Sequence, residues 1–446
     1  MTETTNWESI RDDAVATLSR YVQFDTTNPP GNEMEAAEWL ADEVKRRGIT
    51  DDITVFEPAP GRGLVMARIA GSEPLKPLVL NHHIDVVPAE AAQWSHPPFG
   101  GEVAEGFVWG RGTLDTKNLG VMHMLALERL IRDGVTFRRP IILLAVPDEE
   151  TGGAQGMEWL VENHLDTLDP EWVWDEGSAG YTGLMTDQPL FGIAVAEKQI
   201  QHLRLVAEGD PGHGSMPHPN NASATLTDAL QRVLKPRPAR LTEVTAAMFR
   251  EIARALKFPL SFVLRHLRNP LLLKLVERRL SADRQLNAMI RDTISLTMLQ
   301  SGYKINVIPE RAEAGIDCRL LTDTDAGKFR RWLDETIDDP RVRVEEIRTS
   351  IPTMTSPIDG PFFDAARHAL ARHLPDAIAF PLQTPGGTDS RYFRAHGVPG
   401  YGFGPFVIEI EEVHRVHGID ERISIDNLEL GIKIACDVLA ELCGAV

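Results

Sequence analysis

The sequence predicts an α/β protein: a mostly parallel sheet with helices on both faces, interrupted by a smaller α+β insertion. Three observations carry this expectation. From Ile10 to about Ala196, helical stretches with apolar residues at three- and four-residue spacing alternate with short, almost wholly apolar strands. Such alternation places parallel strands between covering helices. After about Glu197 the strands change to a polar/apolar alternation, the mark of a sheet with one solvated face, and from about Ser356 the earlier style returns.

Taken in order, WESIRDDAVATLSRYVQF and EMEAAEWLADEVKRRG read as amphipathic helices, the second closed by Gly48, and LGVMHMLALERLIRDG as a third closed by Gly134. PLVLNHHID, PIILLAVP and EWVWDEG read as the buried strands among them. In the middle, QIQHLRLVAEG, NNASATLTDALQRVL, TISLTMLQSG, AEAGIDCRLL, DAGKFRRWLDETI and VRVEEIRT give strand, helix, strand, strand, helix, strand. Strand-helix-strand twice over predicts a ferredoxin-like insertion. FFDAARHALARHL, GVPGYGFG and NLELGIKIACDVLAEL then return to the first domain. The expected division is 1–196 and 353–446 for that domain, with 197–352 inserted.

One segment departs from the rest. Between Phe249 and Arg291 there are ten basic and three acidic residues, in a chain of net charge −19. The expected reading is an extra helical hairpin packed on the inserted domain with its charges solvated, because Pro259 and Pro270 break any long helix. A membrane-surface helix and a cover over a substrate cleft are the functional readings.

Length and composition narrow the classes. At 446 residues the chain exceeds one ordinary core, and its 43 % apolar content suffices for a sizeable one. The acidic balance argues against nonspecific nucleic-acid binding, which needs a basic surface. MTETTNWESIRDD lacks the layout of a secretory signal and no apolar stretch is long enough to span a bilayer, so a cytoplasmic location is expected. Cys318, Cys436 and Cys443 have no metal-finger spacing and are expected to be buried or incidental thiols.

The chemistry is carried by acids and imidazoles in particular contexts. LVLNHHID is an apolar run ending in polar residues, as a buried strand delivers ligands at its carboxyl end. Side chains alternate along a strand, so His83 and Asp85 point the same way, with Asp85 expected to accept a hydrogen bond from the ring nitrogen of His83 that faces away from a metal. His82 points to the opposite face. IILLAVPDEE repeats the pattern, and because neighbours diverge, one of Glu149 and Glu150 can ligate while the other acts as general base. With Asp115, Glu176 and His417, these residues supply the nitrogen and oxygen donors that two divalent ions need, one carboxylate bridging. A helix-capping role for Asp115 is compatible with bridging. His123 is expected as a hydrogen-bonded core or boundary residue, His96 and His218 as surface residues, and His414 as secondary to His417.

HHIDVVP, GRGTLDTK, DEETGG, DEG, GGTDSR and HGIDE, in this order, resemble the dizinc amidohydrolase and exopeptidase family of aminoacylase, acetylornithine deacetylase, succinyl-diaminopimelate desuccinylase, glutamate carboxypeptidase and carboxypeptidase S. The resemblance runs from TTNPPGNE to the last His motif; it departs at Thr116 and Asn118, where many relatives carry an acid or Met and a Gly. It implies two Zn²⁺ per subunit, with Co²⁺ able to substitute: His83 and Glu176 on one, Glu150 and His417 on the other, Asp115 between them and Glu149 as base. The loop PGHGSMPHP resembles one whose His completes the neighbouring subunit's site, which assigns His213 to the oxyanion and the dimer interface to the inserted domain. KINVIPE, DCRLL and GGTDSR similarly imply Asn306, Arg319, Thr388 and Arg391 as contacts to a substrate carboxylate. The implied reaction is hydrolysis of an amide or peptide bond next to an amino acid with a free carboxylate, of dipeptidase or carboxypeptidase type, with N-acyl-amino-acid deacylation as the alternative. A catalytically inactive, metal-stabilised binding protein is disfavoured because Glu149 and every implied ligand are present.

Overall fold

The computed structural model describes residues 6–350 and 354–444. A ten-stranded sheet runs in the order Ile53–Ala59, Arg62–Ile69, Ile141–Val146, Leu78–His83, Trp172–Asp175, Gly400–Gly402, Leu190–Glu197, Gly180–Thr182, Val407–Glu409, with Ile378–Thr384 also paired to Leu190–Glu197. Its centre is parallel: Leu78–His83 lies between Ile141–Val146 and Trp172–Asp175, and Gly400–Gly402 continues beside the latter. The hairpin Ile53–Ala59 and Arg62–Ile69 adds an antiparallel edge. The sequence reading assigned nothing there, because Glu57 and Pro58 interrupt the apolar alternation that would mark a strand.

Helices cover both faces, and the pleat decides which residue meets which helix. Leu78, Leu80, Ile141 and Leu143 join one core with Leu18, Val121, Phe362 and Leu428 of the helices Trp7–Val22, Lys117–Arg132, Pro361–His373 and Ile425–Cys443. Their neighbours Val79, Ile142 and Leu144 turn to the other face, against Leu160 of Met157–Leu168 and Phe393 of Ser390–Ala395. This double coverage is why the central strands are apolar throughout. Gly48 and Gly134 end their helices with φ of 68° and 79°, where a side chain would be strained.

The second sheet has four strands in the order Thr293–Ser301, Arg311–Leu320, Gln199–Glu208, Val342–Thr349, all antiparallel. The helices Ala222–Val233 and Ala326–Ile337 pack on one face through Leu226, Phe329 and Leu333. That is the ferredoxin-like arrangement, with the first and third strands of the motif adjacent at its centre.

The basic segment corrects an expectation. It forms the helices Glu243–Ile252, Leu260–Arg265, Pro270–Leu280 and Arg284–Met289, with Pro259 just ahead of the second and Pro270 opening the third. Their apolar side chains do not turn to the inserted domain, which the segment meets through Lys198 donating to the carbonyls of Ala288 and Arg291. Met248, Phe249, Ile252, Leu264 and Leu280 bury against Leu190, Phe380 and Leu382 on the paired strands Leu190–Glu197 and Ile378–Thr384 of the ten-stranded sheet. The reason is area: those strands carry apolar side chains on this face, and burying each is worth about 1.5–3 kcal/mol. His123 is a second correction. It is buried with neither ring nitrogen hydrogen-bonded, its ring edge-on to Trp174 at 4.6 Å, and burial pushes its pKa well down. The three cysteines are buried and free, and among the described residues no helix is long and apolar enough to cross a membrane.

Candidate metal centre

Three neighbouring parallel strands end together, and their ends carry the site. His83 is the last residue of its strand, Glu149 and Glu150 begin a short turn just after Ile141–Val146, and Glu176 follows Trp172–Asp175. This is the crevice beyond the carboxyl ends of a parallel sheet, where open α/β folds place ligands. Asp115 comes from the turn before the helix Lys117–Arg132, and His417 from the loop after Ile410–Arg415.

His83 Nε2 lies 2.9 Å from Asp115 Oδ1 and 3.7 Å from Glu176 Oε1. His417 Nε2 lies 3.0 Å from Asp115 Oδ2 and 3.3 Å from Glu150 Oε1. Two groups follow, His83 with Asp115 and Glu176, and His417 with Asp115 and Glu150, each with its donor atoms within 4.8 Å of one another. Asp115 offers one oxygen to each. The helix after it is not capped by a side chain, so the capping role falls away.

Charge shows that the donors suit a cation. Burial pushes the carboxyls of Glu149 and Glu176 well above the usual range, and nearby acids add to the effect. Hydrogen bonds to Asp115 and Glu150 push His417 up to about 10; His83, despite burial, is also raised, by Asp115 and Glu176. Glu150 Oε1 is buried, and the His417 ring nitrogen at 3.3 Å is the contact it makes. The cluster therefore holds more negative charge than its own side chains satisfy, and its imidazole and carboxylate donors are of the kind that bind zinc-like divalent ions.

The surroundings fix these groups, in one case differently from the expected way. His83 Nδ1 donates to the backbone carbonyl of Asp85 at 2.8 Å, while the Asp85 carboxylate stands 3.7 Å off. Alternation stops governing Asp85 because the strand ends at His83. Its carboxylate instead accepts the N–H groups of Glu149 and Glu150, both at 3.1 Å, and the Asn28 amide at 2.8 Å. Asp85 thus holds the backbone of the acid pair. Glu421, the last acid of HGIDE, received no role from the sequence. Fully buried, it accepts the N–H groups of Gly112, Leu114 and Asp115 and pairs with Arg111, fixing the turn that presents Asp115. His82 points away as expected, 3.2 Å from the Tyr21 hydroxyl.

Two cavities meet at the centre. One, of about 460 Å³, is bounded by Asp115, Glu149, Glu150, Glu176 and His417 at one end. Its far wall is apolar, with Met248, Ile252, Leu286, Met289, Phe380 and Phe406. The other, of about 550 Å³, also touches Glu149, Glu150 and His417 but contains Arg319, Arg348 and Arg391. Arg391 Nη1 lies 3.9 Å from Glu149 Oε1, and Arg319 pairs with Asp317 at 2.8 Å. Arg348 donates to the carbonyls of Thr151 and Gly152.

Of the expected substrate contacts, Arg319 and Arg391 share this second cavity. Thr388 borders the first, but its hydroxyl donates to Glu197 at 2.7 Å, itself paired with buried Arg394, so that proton is committed to the fold. His213 and Asn306 are exposed on the small ribbon of Gly212–His213 and Val307–Ile308 and border neither cavity. Sequence reasoning missed Arg348, which reads as a solvated charge ending an alternating strand and carries no signal of its own. The apolar wall from the basic segment matches the cover over a substrate cleft, one of the functional readings of that segment.

The family description Peptidase family M20/M25/M40 matches residues 79–441. The chain belongs to this family. Among curated relatives of this M20 chain, the N-fatty-acyl-amino acid synthase/hydrolase PM20D1 of Xenopus tropicalis is 33% identical, covering 82% of this chain and 72% of its own. Aminoacylase-1 of Sus scrofa is 28% identical over 96% of this chain and 95% of its own. Among solved structures, the M20 family metallo-carboxypeptidase Sso-CP2 from Sulfolobus solfataricus superimposes with a TM-score of 0.71 at 17% identity, covering 96% of this chain and 99% of that one. The M20 chain is a metal-dependent hydrolase of amide or peptide bonds.

The Asp85 contacts generate a test. Asp85→Ala should weaken metal affinity about 10–100-fold, the usual cost of losing a group that orients ligands, with the fold retained by circular dichroism. Chelator competition measures it. Unchanged affinity would mean that the acid pair is held without Asp85.

Proposed function

We propose that this M20 enzyme is a dizinc amidohydrolase acting on N-acyl amino acids with an apolar acyl group. In this reading His83 and Glu176 hold one Zn²⁺, Glu150 and His417 the other, Asp115 serves both, and Co²⁺ can substitute. The bound cations supply Lewis acidity and bring the pKa of a water towards neutrality. Glu149, which borders both cavities, takes the proton of the attacking water and delivers it to the leaving nitrogen, which would otherwise depart as an unstable anion. Arg391, Arg319 and Arg348 receive the substrate carboxylate by charge-assisted hydrogen bonds.

The observation that carries the choice of substrate is the contrast between the two cavities. A carboxylate fits the side with three guanidinium groups, and the opposite, Met- and Phe-lined side asks for an apolar group. The relative named N-fatty-acyl-amino acid synthase/hydrolase supports this reading. A dipeptidase or carboxypeptidase would use the same carboxylate anchor but needs less apolar depth.

A homodimer belongs to the same proposal. Thr293–Ser301 is an edge strand with Met298 and Leu299 exposed, an arrangement that invites pairing. His213, exposed on the inserted domain, would serve the oxyanion of the partner's site.

Three experiments test this. Chelation should abolish activity and Zn²⁺ or Co²⁺ restore it; Glu149→Gln should keep two metals while kcat falls roughly 10²–10⁴-fold, whereas Glu150→Gln should lose metal. Elemental analysis of both variants decides, and the opposite pattern would exchange the two roles.

For a series of N-acyl amino acids, kcat/KM should rise about fourfold per added methylene until the cavity is full, from about 0.8 kcal/mol per buried CH₂. Amidating the carboxylate should raise KM sharply. Equal kcat/KM for acetyl and dodecanoyl substrates, with dipeptides preferred, would replace the deacylase with a dipeptidase.

Homodimers of Glu149→Ala and of His213→Ala should both be nearly inactive. Co-expression should recover roughly a quarter of wild-type activity, since about half the dimers are mixed and each has one intact site. Verified mixed dimers no more active than their parents would reject a trans role for His213.

A further inference from the structure

The basic segment has two faces, and only one is accounted for by the cavity. In Pro270–Leu280, the residues Leu273, Val276 and Leu280 turn inward to the core shared with Phe249 and Leu264. On the outside, Leu271, Lys274, Leu275 and Arg278 recur at the three- and four-residue spacing that makes one helical stripe. Leu271 and Leu275 are 76% and 74% exposed, and Phe258, just ahead of the preceding helix, is 81% exposed, with Leu260 and Phe262 also open to solvent. Among the described residues, the exposed Lys257, Arg265, Lys274, Arg278, Arg279 and Arg284 make no ion pair, although the chain as a whole carries −19.

We propose that this outer face docks on an anionic lipid bilayer, with Phe258, Leu271 and Leu275 entering the headgroup boundary and the surrounding lysines and arginines meeting lipid phosphates. Apolar side chains interleaved with cations are what an interfacial helix presents to such a surface. A solvated face has no use for three large apolar groups this exposed. A second copy of this chain, facing the patch across a twofold axis, would bring cations against cations. The negative charge of the rest of the molecule is repelled by the same bilayer, so the charge asymmetry also sets the orientation, this face down.

The other side of the segment gives the docking a purpose. Met248, Ile252, Leu286 and Met289 wall the apolar cavity that ends at Glu149 and His417. A docked enzyme therefore holds that wall at the surface where an amphiphilic substrate is concentrated. This last consequence rests on the acyl reading of the cavity; the docking itself does not.

The test is flotation of the full-length enzyme with vesicles of phosphatidylcholine, with and without phosphatidylglycerol. The wild type should bind phosphatidylglycerol vesicles at least about tenfold more tightly than neutral ones, and less so as salt is added. Leu271→Ser with Leu275→Ser, and separately Lys274→Glu with Arg278→Glu, should each weaken binding about tenfold or more. Because these side chains face solvent, turnover of a soluble N-acetyl amino acid should be unchanged, which verifies folding. A wild type that does not float with anionic vesicles, or a Leu271→Ser/Leu275→Ser protein that floats equally well, overturns the proposal. So does a wild type that ignores vesicles but self-associates in sedimentation velocity until the leucines are replaced, which would assign the patch to a second copy. Flotation reads no turnover, so it can fail while amide hydrolysis stands, and the reverse.

Discussion

Asp115, Glu149, Glu150 and Glu176 converge on two imidazoles in a place where burial penalises every uncompensated charge. Asp115 sits between His83 and His417 with one oxygen turned to each, and the remaining acids lack equivalent partners. Left alone, such a cluster lowers its energy by taking up protons, and the raised carboxyls and imidazoles express that tendency. Cations answer the same demand. The architecture around the cluster serves to keep like charges close against their repulsion.

The parallel sheet does most of this by bringing three strand ends to one line. Two further acids, which bind no substrate in our reading, finish the work through backbone N–H groups. Asp85 gathers those of Glu149 and Glu150, and Glu421 gathers those of the turn that carries Asp115. Hydrogen bonds that a buried carboxylate accepts from several N–H groups are strong, so the acid pair and the bridging acid are held by the chain itself. His417 is the exception: half-exposed, it adopts a left-handed φ of 58°, a conformation costing a non-glycine residue about 1 kcal/mol or more. Strain of that kind, retained at a ligand position, suits a group that must be aimed.

The asymmetry of the two cavities comes from different parts of the chain. The guanidinium side is shared between domains, with Arg391 from the first and Arg319 and Arg348 from the inserted sheet. The apolar side is completed by helices that interrupt the inserted domain in sequence yet pack on Leu190, Phe380 and Leu382 of the large sheet. One insertion thus packs on the large sheet, walls a cavity and presents a basic, apolar face to the outside.

Much of this was legible in the sequence because the signals were local. Strand ends placed His83, Glu149 and Glu176, and residue types in ordered motifs marked Asp115, Glu150 and His417, all of which lie together in the fold. The strand and helix pattern of both domains was likewise carried by apolar spacing within each segment. Only tertiary structure decided the rest, for a physical reason in each case. Asp85 lies two residues beyond the end of its strand, where alternation no longer sets the direction of a side chain, and its carboxylate serves backbone N–H groups rather than His83. Thr388 is claimed by a glutamate far away in the chain, and Arg348 matters only because the inserted sheet leans its last strand over the acid pair. The basic segment found its partner on a sheet distant in sequence, since apolar area, which carries no address, is satisfied wherever the chain can reach.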